Sequence, residues 1–493
     1  MDEARLILGS FPVGASDADD SSFKKYDAAL RQYSLAALKL SKEARAAVLA
    51  DPVPFLLMLD PARNTIGNLV LLDIFYNDDA AAAELPSRVL ERTVEFLRNF
   101  DPRQVTYVGG LLLSLLERIG SGNVLPPSLS VEIITSTILR LNPKGSVFTS
   151  THLLLAKLAY ATNVIEQALP VLEASVVFYP ATFTPRDARH LLCDPEPLYS
   201  PSNSTNTAIT DPLRSTTVME YNLIRGSIYI SRKDWGKAQD AFELVLTHPC
   251  RNKNVSMMMT GAYKKWLLVG LLHQGKAPVI PSLLSSTMQA TLTTVGEPYG
   301  SLASLFCTTR VADLKAKFET HEKTWKVDGN MSLVEEVMSA YQKWQIKNLK
   351  NIYTRVPLSE VQRTTLDAET GKPLADVQTT EALVRSMIES GTLDGEIETA
   401  ADGRESYLAL SSPKASMTED DVSLVMKNSW KSLLELNEAY QSTDRRLKWN
   451  KDYVRHMSRE QKRAEVEKEA DAAVGFETQI EDEDLMTGVL ASA

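Results

Sequence analysis

Cysteine is scarce in this chain: Cys193, Cys250 and Cys307 are its three, far apart in 493 residues. None belongs to a CxxC pair or a Cys/His cluster, which argues against a zinc ribbon or dithiol centre and fits reduced thiols in a cytosolic or nuclear protein. The six histidines (His152, His190, His248, His273, His321, His456) are never two apart, and none lies in an HExxH. There is no GxxxxGK[ST] phosphate loop, no GxGxxG after a strand and no GxSxG elbow. Long hydrophobic runs are missing too. The longest, Val105–Leu116 and Trp266–Leu272, fall short of the ~20 residues that cross a bilayer. The acidic start Met1-Asp2-Glu3-Ala4-Arg5 lacks the basic region of a secretory signal. Without one, the glycosylation acceptor pattern Asn203-Ser204-Thr205 carries no weight. Positive charge is in the minority, 53 basic residues against 63 acidic ones and a net charge of -10. That balance argues against nucleic acid or an anionic membrane as the main partner.

Apolar residues at helical spacing are plentiful. At 44% hydrophobic and 24% charged, the chain suffices for roughly three domains or one extended solenoid with a large core. Residues 1–22, rich in Gly, Ser and Asp, are expected to be flexible. Residues 23–178 read as N-terminal helical repeats. Phe23–Ala50 carries Ala28, Leu30, Tyr33, Leu35, Leu38 and Leu40 on a helical pattern that stops at Asp51-Pro52. Similar patterns span Asn64–Asn77, Ser87–Asn99, Val105–Ile119 and Ser128–Leu141, separated by short Pro or Gly breaks. Helix pairs at that spacing bury one another's apolar faces in an α-solenoid.

Two segments follow the tetratricopeptide template. From Tyr221 come Gly226, Tyr229, Ala238 and Phe242, with Asp234-Trp235-Gly236 as the turn and Pro249 as the stop. Ala156, Ala159, Ala168 and Leu172, closed by Pro180, form a degenerate copy. Between them, 179–216 holds Pro180, Pro185, Pro195, Pro197, Pro201 and Pro212 and reads as a long loop inserted in the solenoid. TPR-like repeats fill 217–329, with helices expected at Asn254–Gln274, Ala277–Gln289, Tyr299–Cys307 and Val311–Lys326. Lys264 and Lys265, inside the first, are expected to bury their stems and carry their charges to solvent, with a charge contact to a neighbouring module as the alternative.

Residues 330–412 differ from the rest. Leu333, Val334, Val337, Met338, Tyr341, Trp344, Ile346, Leu349 and Ile352 stripe one long helix that can pack on the solenoid with one end and begin a new module with the other. Short helices are expected at Ser359–Leu366, capped by Ser359, and from a Thr379/Thr380 cap to Gly391, with Ala382, Leu383, Met387 and Ile388 inward. Thr392–Glu398 and Arg404–Leu410 alternate as a hairpin around Ala401-Asp402-Gly403, with Leu393, Gly395 and Ile397 on a face expected to be buried and Asp394, Glu396 and Glu398 on an acidic one. Helix, helix, helix, hairpin is the outline of a winged helix. From Leu333 to Ser412 there are eight basic and thirteen acidic residues. DNA binding needs clustered Lys/Arg, so this module is expected to dock on protein, with Leu393, Ile397, Leu408 and Leu410 at the contact.

A long helix over 418–457 follows, capped by Thr418 with acids in its first turn. Val422, Met426, Ser429, Leu433, Leu436, Tyr440, Thr443, Leu447, Asn450 and Val454 step by four and three, a heptad seam. It is expected to enter an intermolecular bundle through Val422, Met426, Leu433, Leu436, Tyr440 and Leu447. The charged 458–493 is expected to be disordered. The fold class is mostly α: a TPR-like solenoid, a winged helix and a long C-terminal helix.

Helical repeats running into a winged helix resemble the PCI-domain family, whose members serve the proteasome lid, the COP-nine signalosome and a translation-initiation factor. Ala262-Tyr263-Lys264-Lys265 with Gly275-Lys276, Asn330-Met331-Ser332-Leu333-Val334 and Met387-Ile388-Glu389-Ser390-Gly391 resemble the subunit-three branch of the signalosome, over about Tyr221 to Leu410. The resemblance implies a non-catalytic scaffold in a complex that removes Nedd8 from cullin-RING ubiquitin ligases, with winged helices side by side and C-terminal helices in one bundle. It implies other signalosome subunits, PCI-type and metalloprotease-type, as partners, cullin-RING ligases indirectly, and a cytoplasmic and nuclear location. A zinc deneddylase needs a Glu, a His-x-His pair and an Asp around one metal. This chain lacks the pair, so no enzyme activity, cofactor or metal is expected of it. A PCI-type subunit of the proteasome lid or of an initiation-factor complex is the alternative, separated only by local motifs.

Overall fold

The computed structural model describes residues 2–12, 20–77, 87–122, 124–143, 145–176, 179, 207–249, 255–367, 371–399, 406–410, 419–449, 453–455, 457–459 and 461–462. The chain forms two compact units, 1–411 and 412–493. The first opens with α1 (Asp2–Gly9), inside the stretch that composition predicts to be flexible. Ala4 and Leu8 are fully buried, and the Leu8 carbonyl accepts from the Tyr33 hydroxyl (3.1 Å) and from Asn64 Nδ2 (3.0 Å). Those bonds tie the terminus to two helices that lie 25 and 56 residues away in sequence, a constraint no local pattern reveals.

The expected Phe23–Ala50 helix is two helices, α2 (Asp20–Leu38) and α3 (Lys42–Ala50). Ser41 divides them because its hydroxyl caps Ala44 N–H. After α4 (Val53–Met58), α5 (Thr65–Asn77) is buried on nearly every side, as a helix apolar all round must be. Then come α6 (Ser87–Asn99), α7 (Pro102–Val105), α8 (Gly109–Gly120) and α9 (Pro127–Leu141). The predicted Val105–Ile119 helix is therefore broken by a turn at Thr106–Val108.

The two repeat copies hold to different degrees. The degenerate copy is α10 (Ser150–Thr162) with a 3-10 turn running into the short α11 (Leu169–Leu172), and Ala156, Ala159, Ala168 and Leu172 are fully buried there. The regular copy is α12 (Ser215–Ser231) and α13 (Trp235–Leu246), turned by Asp234, which caps α13. Gly226 is the contact point of that pair. A Cβ there would lie 2.6 Å from the Phe242 ring, and Phe242 has no exposed surface to move into. Residues 180–206 of the expected Pro-rich loop lie outside the described residues. Its flanks meet the start of α10: the Tyr179 ring lies 5.5 Å from Phe148, and Ser150 N–H donates to the Thr210 hydroxyl (2.9 Å).

The helix α14 (Met257–Gln274) agrees with the expected span, but the next does not: α15 runs Ser286–Val295, capped by Ser285. Pro278 and Pro281 hold the segment before it out of helix. α16 (Glu297–Phe306) precedes α17 (Val311–Thr320) and α18 (Glu322–Val327), which divide at His321 the single helix expected over Val311–Lys326.

Helix α19 (Met331–Asn348) belongs to two hydrophobic cores. Leu333, Val334, Val337 and Tyr341 complete the core of α13–α18, while Ile346 enters a third core with Val356, Leu358, Val361, Val384, Met387, Leu393, Leu408 and Leu410. That third core joins β1 (Arg355–Pro357), α20 (Leu358–Thr364), α21 (Val377–Glu389), β2 (Glu396–Thr399) and β3 (Ser406–Ala409). The strands form one antiparallel sheet in the order β1-β3-β2, with Val356 and Ile397 both opposite Leu408. Helix, strand, helix, helix, strand, strand is the element order of a winged helix. The hairpin reading omits β1, which is three residues long and ends in a proline. Two expected caps also move: α20 begins at Leu358 after Pro357 rather than at a Ser359 cap, and Asp376 forms the capping box of α21 with Thr379. On α21, Thr380, Val384 and Met387 are buried and Ala382 is exposed. The hairpin turn, 400–405, lies outside the described residues.

The second unit contains α22 (Glu419–Trp449). The expected Thr418 cap, and most of the expected disordered tail, lie outside the described residues.

Gly226→Val places branched carbons against the buried Phe242 ring. Such overpacking is expected to cost about 1–3 kcal/mol in urea unfolding. Phe242→Leu in the same background should recover part of the loss, and strictly additive losses would show that this contact does not limit the packing.

Candidate assembly interface

Two of the motifs quoted for the resemblance, the one around Lys264 and Gly275 and the one opening at Asn330, meet in space where α19 lies on the solenoid; the third, around Met387, belongs to the module beyond. Lys264, on α14, places Nζ 2.9 and 2.7 Å from the two carboxylate oxygens of Asp328, in the turn before α19. The Tyr299 hydroxyl of α16 donates to Asp328 Oδ2 (2.8 Å), and Asn330 Nδ2 donates to the same hydroxyl (2.9 Å). The Tyr299 ring meets Trp325 edge to face at 4.6 Å, and burial pushes the Tyr299 phenol well above its usual pKa. At the far end of α14, Gly275 closes the helix with φ +70°, and the Trp344 ring of α19 leaves no room there for a Cβ. The Tyr341 hydroxyl donates to the Thr308 carbonyl (2.7 Å).

Lys264 does not carry its charge to solvent as expected. Its side chain is 15% exposed and paired, because α18 and α19 bring Asp328 across to it. Lys265 is only partly exposed, Nζ lies 3.5 Å from the Ser227 hydroxyl, and burial pushes its pKa below the usual lysine range.

In the module beyond α19, the sheet turns one face to the third core. Leu393, Leu408 and Leu410 are 2%, 0% and 3% exposed, and Ile397 packs against the same core. This corrects the expectation that they sit at a partner contact: the alternation that marks them marks the inward face. The opposite face carries Arg355, whose guanidinium pairs with Glu398 (2.9 Å) and lies 4.6 Å from the Tyr407 ring centre, so the three strands are bridged there by polar groups. β1 and β2 each pair with β3 alone among the described residues, as the two outer strands of the sheet. On α21, Arg385 is engaged by Glu381 (2.8 Å) and Glu389 is exposed, so that helix presents no cluster of positive charge.

The α22 seam is apolar and uncovered. Val422, Met426, Leu433, Leu436 and Tyr440 are 42–71% exposed. Val425, Trp430 and Leu434, also exposed, widen the strip; at ~100° per residue the apolar arc covers about half the helix circumference. One facing helix covers a narrower a/d stripe than that, so the face has room for neighbours on two sides. The side chain of Leu447 lies outside the described residues.

For chemistry, no group of three or more His, Cys, Asp or Glu side chains that could hold a metal occurs among the described residues. No helix among them is long and apolar enough to cross a membrane. His152 is buried, but in a structural role. Thr149 N–H donates to its Nδ1 (3.1 Å), which places its proton on Nε2, and Nε2 has no partner. Phe148 and Tyr221 pack on its ring at centroid distances of 5.2 and 6.1 Å.

A family model described as the N-terminal helical repeats of COP9 signalosome complex subunit 3 matches residues 32–193 and 204–288. A Neurospora crassa protein named COP9 signalosome complex subunit 3 is 33% identical over 505 residues, covering all of both chains. The chain belongs to the COP9 signalosome subunit 3 family. An Emericella nidulans protein of the same name is 30% identical over 362 residues, 71% of each chain. The family match reaches into the N-terminal repeats, where the quoted motifs do not extend.

Two predictions follow from these positions. Burial pushes the His152 pKa down to about 4 from an unfolded value of 6.5. The unfolded chain therefore binds the proton first, and stability is full above about pH 6.5 and falls as pH drops to 4, by about 3 kcal/mol in total. Denaturant titrations across that range should show the slope, and His152→Asn, which cannot titrate, should flatten it. Replacing Leu433, Leu436 and Tyr440 together by Asp should leave helical circular dichroism and the melting midpoint of the isolated chain nearly unchanged, because surface substitutions typically stay within about 0.5 kcal/mol. Unfolding of the triple variant would show that the seam packs within the chain.

Proposed function

We propose that this chain is a non-catalytic scaffold subunit of a COP9 signalosome, the complex that removes Nedd8 from cullin-RING ligases. The observation that carries the reading is the uncovered apolar arc of α22 in a chain matched end to end by a protein named as subunit 3. A contiguous exposed apolar strip of that kind marks a protein interface, and its heptad spacing suits a helical bundle. The winged-helix module, read as the second half of a PCI domain, is the other docking point, through its outer strands rather than its buried leucines. Other signalosome subunits, PCI-type and metalloprotease-type, are its partners; cullin-RING ligases are reached indirectly, through the assembled complex, in cytoplasm and nucleus.

The deneddylating metal site belongs to a different subunit. The absence of any His-x-His pair supports that division of labour. Affinity purification of the tagged chain followed by mass spectrometry is expected to return signalosome subunits, and the Leu433/Leu436/Tyr440→Asp variant is expected to lose them. Recovery of proteasome-lid or initiation-factor subunits in their place would overturn the assignment.

A further inference from the structure

The geometry points to the Lys264–Asp328–Tyr299–Asn330 cluster as a positioning joint that sets the attitude of the winged-helix module on the solenoid. This deepens the docking reading above and rests on it for its consequence in assembly. The joint itself is a property of the isolated chain.

Among the described residues, helix α19 is the sole helix shared by the core of α13–α18 and the third core, so its roll and tilt on the solenoid become the roll and tilt of the module. Along its first three turns Leu333, Val334 and Val337 are buried against the solenoid. Apolar burial is non-directional and tolerates a helix that slides or rolls by a fraction of a turn. Directional bonds do not. Asp328 accepts from Lys264 through both oxygens and from Tyr299 through one of them. These three bonds come from two different helices, α14 and α16, and so fix the start of α19 in two directions. Asn330, 3% exposed, extends the cluster to the first residue before the helix.

The other end is held by shape, with Trp344 seated on Gly275 at the C-terminus of α14. α14 therefore grips α19 at both ends, by charge at the beginning and by an aromatic seat at the end. Without the charged grip the Trp344 seat becomes a pivot, and the module, which starts two residues later at Ile346, would swing about it. The cluster is largely shielded from solvent, with Lys264 and Asp328 side chains 15% and 21% exposed. Its bonds are therefore screened less by water and salt than those of a surface ion pair.

The test uses the full chain with its three cysteines replaced by serine and spin labels at Asp240→Cys, on α13, and Glu389→Cys, at the end of α21, both solvent-exposed positions. Lys264→Met keeps the stem and removes the charge; Asp328→Asn keeps the shape and removes the charge. Each is expected to broaden the inter-label distance distribution. Each should also lower hydrogen-exchange protection over residues 331–337 by roughly ten- to a hundredfold, the factor that loss of a hydrogen bond to a charged group gives, while residues 235–246 keep theirs. Lys264→Arg, which can still grip both oxygens, should restore the narrow distribution. If one variant fails to fold, the other is read. An unchanged distribution in a folded variant overturns the joint, as does an equal loss of protection in 235–246. Co-purification with signalosome subunits is measured separately. A variant with a broadened distribution that assembles in full would support the joint and count against the winged-helix docking point.

Discussion

Helix α19 has to satisfy two hydrophobic cores with one set of backbone coordinates, and much of the first unit depends on how that is done. Its first turns close the core of α13–α18, and its end opens the core of the winged-helix module. A helix in that position is a beam, and a beam transmits orientation only if it is prevented from rolling. Apolar contacts supply most of the free energy of burial, at roughly 25 cal/mol per Å², but they are indifferent to small rotations. The carboxylate of Asp328, gripped by Lys264 and Tyr299, adds direction where the apolar surface adds attraction.

The two units handle hydrophobic surface in opposite ways. In the first, most apolar positions of helices and strands meet partners within the chain, down to leucines that a sequence reading assigns to an outside contact, though single residues such as Leu57 and Val327 stay exposed. In the second, a 31-residue helix displays valine, leucine, methionine, tryptophan and tyrosine in the open. A lone helix of that composition gains little from its own chain, since most helix stability in proteins comes from packing an apolar face. In the proposed bundle, the neighbours that cover it would tie the unit's stability to assembly by mass action.

The repeats were legible because their signals are local. Gly226, Tyr229, Ala238 and Phe242 lie within two consecutive helices, and the packing of Phe242 over Gly226 is the contact that their spacing implies. The third strand was not legible, because Arg355–Pro357 has three residues and no alternation, and acquires its structure from β3, some fifty positions later. The helix expected at Ala277–Gln289 fails for the converse reason: its apolar periodicity is genuine, but two prolines outweigh it. The order of α1 depends on Tyr33 and Asn64, neither of which its own composition can announce.

Helical periodicity and heptad spacing were enough to show a chain of helical repeats followed by a long helix with an apolar seam, because each of these is a property of near neighbours along the sequence. Alternation also marked Leu393, Leu408 and Leu410 as one face of a hairpin. Only the tertiary structure decided that this face is filled by the module's own core and not by a partner, since a period of two separates two faces without saying what covers either. In the same way, Lys264 reads as a charge bound for water until α18 brings Asp328 to it. The sequence carries both partners, 64 residues apart, and the fold alone makes them a pair.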